Sequence, residues 1–283
     1  MSSSTPPKTR PATASYLIKT SHGLAVPAFP VLFYWEIEME PDMPDAFQHV
    51  LPAVYIDMIF PIDKWIGTDG YEGVRTEPFL SPILHTARKV VFSRNCRLFG
   101  IRFDPVYVSA MFDGSPKELD QGANDFASFV IKPLANNILE AVYGNNDFES
   151  RVRNVNQLIR ERCKLHTDTG RSICTFALEY IRSNPHSKVK DLARVTGYSA
   201  RWLEQLFNEN LACTPQEIIR ITRFNRFISL LKRDNSSSLT TLAFECGYYD
   251  QSHLIRDFRS FSPNKPSEFQ RNLPVLSKVM NHI

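Results

Sequence analysis

Two short runs late in the chain carry similar side chains at similar helical spacing. In residues 199–208 a serine suited to capping a helix precedes Ala200, Arg201, Glu204, Gln205 and Asn208, which point outward. Leu203, Leu206 and Phe207 point inward. In residues 250–259 an aspartate takes the cap position. Gln251, Ser252, Ile255 and Arg256 are left outward with His253 close to them, while Leu254 and Phe258 turn to the core. The chemistry open to these side chains is hydrogen bonding to base edges. Arginine can engage guanine O6 and N7 together, glutamine can engage adenine N6 and N7, serine either, and isoleucine can meet a thymine methyl. Arg201, Glu204 and Gln205 are therefore candidate base readers in one groove, and Gln251, Ser252 and Arg256 in another. Trp202, Asn208, His253 and Ile255 are further candidates beside them. Arg220, Arg223, Arg226, Lys232, Arg233 and Arg259 suit phosphate contacts, which position without specifying. Any one of these residues matches an ordinary solvated helix position as well. The two helices taken as units do not.

The elements that must hold these faces are written twice. Leu192-Ala193, Gly197-Tyr198-Ser199, Leu203 and Phe207 recur as Leu242-Ala243, Gly247-Tyr248, then Tyr249-Asp250, Leu254 and Phe258. One residue is inserted after the tyrosine of the second copy. A small residue four before a glycine, then a polar cap and an apolar i, i+4 pair, describes a helix-turn-helix. Alanine allows close helix approach, and glycine supplies the positive φ of a tight turn. Between the copies, Thr214-Pro215-Gln216-Glu217 is a capping box with proline at the first helical position. The helix it starts runs to about Lys232 and spans roughly 28 Å, against about 34 Å for one turn of duplex. The spacing predicts helix-turn-helix units over about 187–210 and 238–261, joined by a linker helix over about 214–232. Ahead of them, Ile173, Phe176, Ala177, Tyr180 and Ile181 predict an amphipathic helix, and Ser187 is expected to start the next one.

Other chemistry finds little support. The 283 residues carry 43% hydrophobic and 22% charged side chains, ordinary for a soluble globular protein of two domains. No apolar run approaches the roughly 18 residues of a membrane span, and residues 1–12 read as a disordered tail. Five scattered cysteines, none spaced as CxxC, argue against a disulfide framework or a zinc site and for a reducing cytoplasm. The seven histidines form no HxH or HExxH pair, and there is no glycine-rich phosphate loop and no GxSxG. No catalytic residue, metal ligand or cofactor is therefore assigned. From His166 onward there are 16 Lys and Arg against 11 Asp and Glu, a net of +5; residues 1–165 have 17 against 19, a net of −2. A basic C-terminal part beside a slightly acidic remainder suits a nucleic-acid module attached to something else.

The N-terminal half reads as mainly β. Strand-like runs cover residues 31–40, 48–62 and 89–105, separated by proline and by Asp69-Gly70 and Asp113-Gly114 turns. Helical pattern begins near Asp125, with one helix over 125–143, bent or started at Pro133, and another over 148–164. Phe33, Tyr34, Trp35, Tyr55 and Trp65 read as core, with a small-molecule pocket as the competing use. Arg102 reads as a structural salt-bridge partner sooner than as an anion ligand.

The doubled motif resembles the AraC/XylS family of transcription regulators, whose DNA-binding domain is two helix-turn-helix units joined by a long helix. The run from Gly247 to Phe258, then Pro266-Ser267-Glu268-Phe269, is similar to the family's signature region, and Tyr198 through Phe207 with Thr214-Pro215 is similar in the first unit. The match covers about residues 170–271. His49-Val50-Leu51-Pro52, Ile56 through Phe60, and Phe99 through Pro105 resemble, more weakly, the sensor half of one branch of that family. The resemblance implies binding near promoters, with an N-terminal half that senses a ligand or makes a dimer. This sequence departs from the family by placing Ala212 and Pro263 where glycine commonly follows each recognition helix, and proline cannot take a positive φ. DNA-repair methyl-acceptor proteins carry a similar half, but their clustered cysteines are missing here.

The expected architecture is α+β in two domains: a mainly β sensor-like domain with trailing helices over 13–165, and an all-α DNA-binding domain over 166–283. The expected function is a cytoplasmic, sequence-specific transcription regulator, not an enzyme and without a cofactor, that binds promoter or operator DNA. Its further expected partners are a small-molecule effector, RNA polymerase and a second copy of the chain. The competing readings are a small-molecule-binding protein or enzyme with a vestigial helical C-terminal domain, and a structural DNA-bending protein.

Overall fold

The computed structural model describes residues 16–23, 29–39, 46–63, 66–68, 74–93, 95–108, 111–119, 124–162, 169–233, 237–266 and 268. The expected tail, the 166–168 stretch of the expected domain boundary, Trp65 and the Asp69-Gly70 turn lie outside them. Among the described residues there are ten strands, the last of them after the first helix: β1 Tyr16–His22, β2 Val31–Met39, β3 Ala46–Val50, β4 Ile56–Asp63, β5 Ile66–Thr68, β6 Val74–Arg75, β7 Phe79–Ser81, β8 Arg88–Phe92, β9 Arg97–Phe103 and β10 Asn124–Asp125. They form two antiparallel sheets, one in the order β1-β2-β9-β4-β7-β10 and one in the order β3-β8-β5-β6. The runs expected over 48–62 and 89–105 are each split in two, by residues 51–55 around Pro52 and between the end of β8 at Phe92 and the start of β9 at Arg97. Proline cannot donate to a ladder, which accounts for the first interruption.

Strand β2 shows how the larger sheet is covered on both faces. Its residues alternate with period two. Phe33, Trp35, Ile37 and Met39 pack with Val90 and Phe92 of the second sheet, while Tyr34 faces an apolar cluster shared with the helices. These helices are α3 Lys132–Tyr143 and α4 Phe148–Arg162, which follow the short α1 Pro105–Val108 and α2 Phe126–Phe129. Of the two options for 125–143, the helix starts at the proline: Pro133 lies in the first turn of α3, where a missing N–H costs nothing, and the residues before it form the separate α2. Tyr34 donates to Asn156 at 2.8 Å, and Glu36 pairs with Arg151 at 2.8 Å, both ends buried. Arg102 makes the structural bridge expected of it. Its guanidinium meets both Asp57 oxygens, at 2.9 and 2.8 Å, and lies over the Tyr55 ring.

The remaining helices are α5 Thr169–Ser183, α6 Val189–Thr196, α7 Ala200–Leu211, α8 Pro215–Arg233, α9 Leu239–Glu245 and α10 Gln251–Phe261. On α5 the buried stripe is Cys174, Ala177, Leu178 and Ile181, and Phe176 is exposed, so the expected stripe is out of phase at that residue. Helix α6 is capped by Lys188 with Asp191 reaching back to its N–H, and not by Ser187, which is buried. One apolar cluster runs from the large sheet through α1 and α5 into α7 and α8. Among the described residues, no helix is long and apolar enough to cross a membrane.

Candidate nucleic-acid interface

Helices α6 and α7 form the first unit and α9 and α10 the second. Each turn is made by a glycine at positive φ, Gly197 at 76° and Gly247 at 84°. Each second helix has the expected cap. Ser199 accepts from the Trp202 N–H at 3.2 Å, and Asp250 from the His253 N–H at 2.7 Å. Thr214 and Glu217 cap α8 reciprocally, at 2.8 and 3.2 Å. The inward residues Leu203, Phe207, Leu254 and Phe258 are fully buried.

What remains outward is the same set of helical positions in both units. Shifted by 51 residues, Ala200, Arg201, Glu204, Gln205 and Asn208 correspond to Gln251, Ser252, Ile255, Arg256 and Arg259. All are exposed except Ile255, which is half-buried. Trp202 and His253 correspond too and are half-buried at the edge of each face; Trp202 stacks on Tyr198 with ring centroids 4.0 Å apart. The candidate base readers thus share one face in each unit. Arg259 joins that face at the place of Asn208, so it can read a base as readily as hold a phosphate.

Residues 192–272 match the sequence profile of a helix-turn-helix domain family. They form an AraC-type helix-turn-helix domain. The whole chain is also similar to solved structures of ToxT from Vibrio cholerae. The apo form of a ToxT variant is 10% identical, covering 93% of this chain and 99% of that one, with a TM-score of 0.46. A second ToxT structure is 12% identical over 92% and 98%, with a TM-score of 0.47. The AraC-like transcriptional activator CuxR is 15% identical over 82% and 91%, with a TM-score of 0.30. No curated protein matches the chain.

Within the AraC-type domain the cations on α8 divide. Arg226 and Arg233 are exposed and keep the place expected of phosphate contacts. Arg220 and Arg223 do not. Arg220 donates to Asp257 Oδ1 through Nε at 3.0 Å and Nη2 at 2.8 Å, and lies over the Phe261 ring. Arg223 is buried beside the Tyr248 ring. Arg220 turns inward to an acid and a ring that α10 presents, Asp257 and Phe261, and Arg223 to the Tyr248 ring in the turn before α10. Lys232 is partly withdrawn as well, and desolvation pushes its ammonium down to about 8.

The departures from glycine resolve differently. Ala212 takes the left-handed cap anyway, at φ 52°, whereas Ser262 ends α10 in extended backbone at φ −143°, so Pro263 follows without any positive φ. A cleft of about 260 Å³ lies between α5, the turn before α6, α8 and Val54. Arg182, Ser187, Arg223 and Arg226 line it, together with Asn225. Of these lining residues, Arg182, Ser187 and Arg223 each have a buried side-chain atom without a hydrogen-bond partner among the described residues, while Arg182 Nη1 faces Asp104 at 3.8 Å. Sequence reasoning missed this site because its members lie on α5, the turn before α6, and α8, and no spacing rule joins them.

Proposed function

We propose that this protein is a cytoplasmic, sequence-specific transcription regulator whose two recognition helices, α7 and α10, enter successive major grooves of promoter or operator DNA. The observation that carries this reading is the outward face that the two helices share at the same helical positions, opposite the buried Leu203, Phe207, Leu254 and Phe258. Arg201, Glu204 and Gln205 read bases in one groove. Gln251, Ser252 and Arg256 do so in the next, with Asn208 and Arg259 at the equivalent position of each face. Arg226 and Arg233 hold phosphates. Helix α8, at about 1.5 Å per residue, sets the two faces somewhat less than one duplex turn apart. A straight duplex must therefore bend slightly to meet both. The regulatory half covers 13–165 and the DNA-binding half 166–283, and no reaction is assigned to either.

The effector site in this reading is the cleft between the halves. The guanidinium groups of Arg182, Arg223 and Arg226 along its lining, with Asp104 facing the first of them, favour a small molecule bearing a carboxylate or phosphate. Such a ligand would touch α8 and the turn before α6 at once. That turn also packs on Gly247, where a Cβ would lie 2.4 Å from the Pro185 carbonyl oxygen, so occupancy would be felt at the second unit. RNA polymerase and a second copy of the chain are the further partners.

Selection of bound fragments from genomic DNA tests the reading. Two short conserved blocks about 10 base pairs apart, centre to centre, are expected. Equal affinity for unrelated duplexes would favour a structural DNA-bending protein and overturn it. For the cleft, a small-anion panel should raise the unfolding midpoint of the full chain and lose that effect in Arg223→Met.

A further inference from the structure

His85, in the segment between β7 and β8, meets Cys213 and Glu217, which lie on either side of the start of α8. His85 Nε2 is 3.5 Å from Cys213 Sγ, Cys213 Sγ is 3.8 Å from Glu217 Oε2, and His85 Nδ1 is 3.7 Å from Glu217 Oε1. One ligand atom from each lies within 4.8 Å of the others. We propose that these three residues bind a divalent metal ion of the zinc class and so pin the N-terminal domain to the junction of α7 and α8.

The distances suit the ion. Zinc–sulfur and zinc–nitrogen bonds at a tetrahedral angle place the two ligand atoms about 3.6 Å apart. An imidazole, a thiolate and a carboxylate form the mixed N, S and O set that favours zinc or cobalt over calcium or magnesium. Two negative ligands balance the charge of the ion. The carboxylate is already oriented, since the N–H and the hydroxyl of Thr214 both donate to Oε2 at 2.8 Å. The left-handed Ala212 directs the chain into Cys213, which is buried, whereas the side chains of His85 and Glu217 are 34% and 38% exposed and leave a path for exchange. On binding, the S–H bond of Cys213 breaks, its proton leaves to solvent, and the sulfur pair fills the metal–sulfur bond with no change of oxidation state. A fourth position stays open to water.

The site goes beyond the DNA-binding reading, and its test reads metal, so its failure leaves that reading untouched. Cobalt(II) is titrated into the full chain and the thiolate-to-cobalt charge-transfer absorption is followed. One cobalt per chain is expected, displaced by zinc. The absorption should vanish in Cys213→Ser and persist in Cys246→Ser, and affinity should fall at least about tenfold in His85→Ala. His85 is partly exposed, so its variant keeps the test valid should Cys213→Ser fail to fold. Zinc should also raise the unfolding midpoint of the wild type and not that of His85→Ala. No cobalt–thiolate absorption, or unchanged affinity in His85→Ala, would mean a hydrogen-bonded interdomain contact and would overturn the proposal.

Discussion

Arg220 on α8 and Asp257 on α10 are joined by two hydrogen bonds to one carboxylate oxygen, at 3.0 and 2.8 Å. Asp257 is 3% exposed and stands where the first unit has the buried Leu206. The second recognition helix is thus held to the rod by an ion pair at a position where the first uses apolar packing. Removing the arginine leaves a buried carboxylate without its partner. Arg220→Ala should destabilise the chain by about 2–4 kcal/mol, read by chemical denaturation, while Arg220→Met with Asp257→Leu should recover most of that loss.

The same relationship predicts how cations divide in DNA binding. Arg226→Ala and Arg233→Ala should each lower the slope of log affinity against log salt by about 1. Arg220→Ala should weaken binding without changing the slope. A slope change for Arg220 would show that its guanidinium leaves Asp257 for phosphate.

Base reading has a different signature. Arg201→Ala and Arg256→Ala should cost about 1–3 kcal/mol at the selected site and relax the preference at one base pair each. Competition binding with single-base variants reads this directly. Equal loss on random duplex would reassign the residue to the backbone.

The turns give a stability test that involves no DNA. Ala212 sits at φ 52°, so Ala212→Gly should stabilise by about 0.5–1 kcal/mol. At Gly197 a Cβ meets nothing within 4 Å, and Gly197→Ala should cost about 1–2 kcal/mol from φ strain. Gly247→Ala should cost clearly more, because the same strain adds to a collision with the Pro185 carbonyl.

Lys232 makes stability depend on pH. Desolvation lowers its folded pKa to about 8, below the unfolded value near 10.5. The unfolded chain therefore binds more protons between these values, and stability should rise across that window. Below about pH 8 both states carry the charge and the cost of burying it is full. Lys232→Met should be more stable than wild type at pH 7, with the advantage shrinking from about pH 8 to 10.5 in parallel denaturation curves.

Much of the DNA-binding half was legible because its determinants are local. A cap needs a side chain three residues from the N–H it serves, and a helix face needs residues three and four apart. Ser199, Asp250, Thr214 with Glu217, and the outward faces of α7 and α10 follow from those intervals. The N-terminal half was legible as strands but not as two sheets, since pairing β2 with β9 depends on residues 59 to 72 apart in the chain.

What the sequence by itself determined is the doubled motif, its capped rod and the residues that reach solvent on each recognition helix. What the tertiary structure decided is the fate of side chains whose partners are distant. Arg220 and Arg223 turn inward because α10 and the turn before it pack on α8. Arg182, Ser187 and Arg223 converge on one cleft. His85 meets Cys213 across 128 residues. A local pattern is fixed by geometry within a turn or two of chain, whereas these meetings exist only after the apolar surfaces of separate elements have packed.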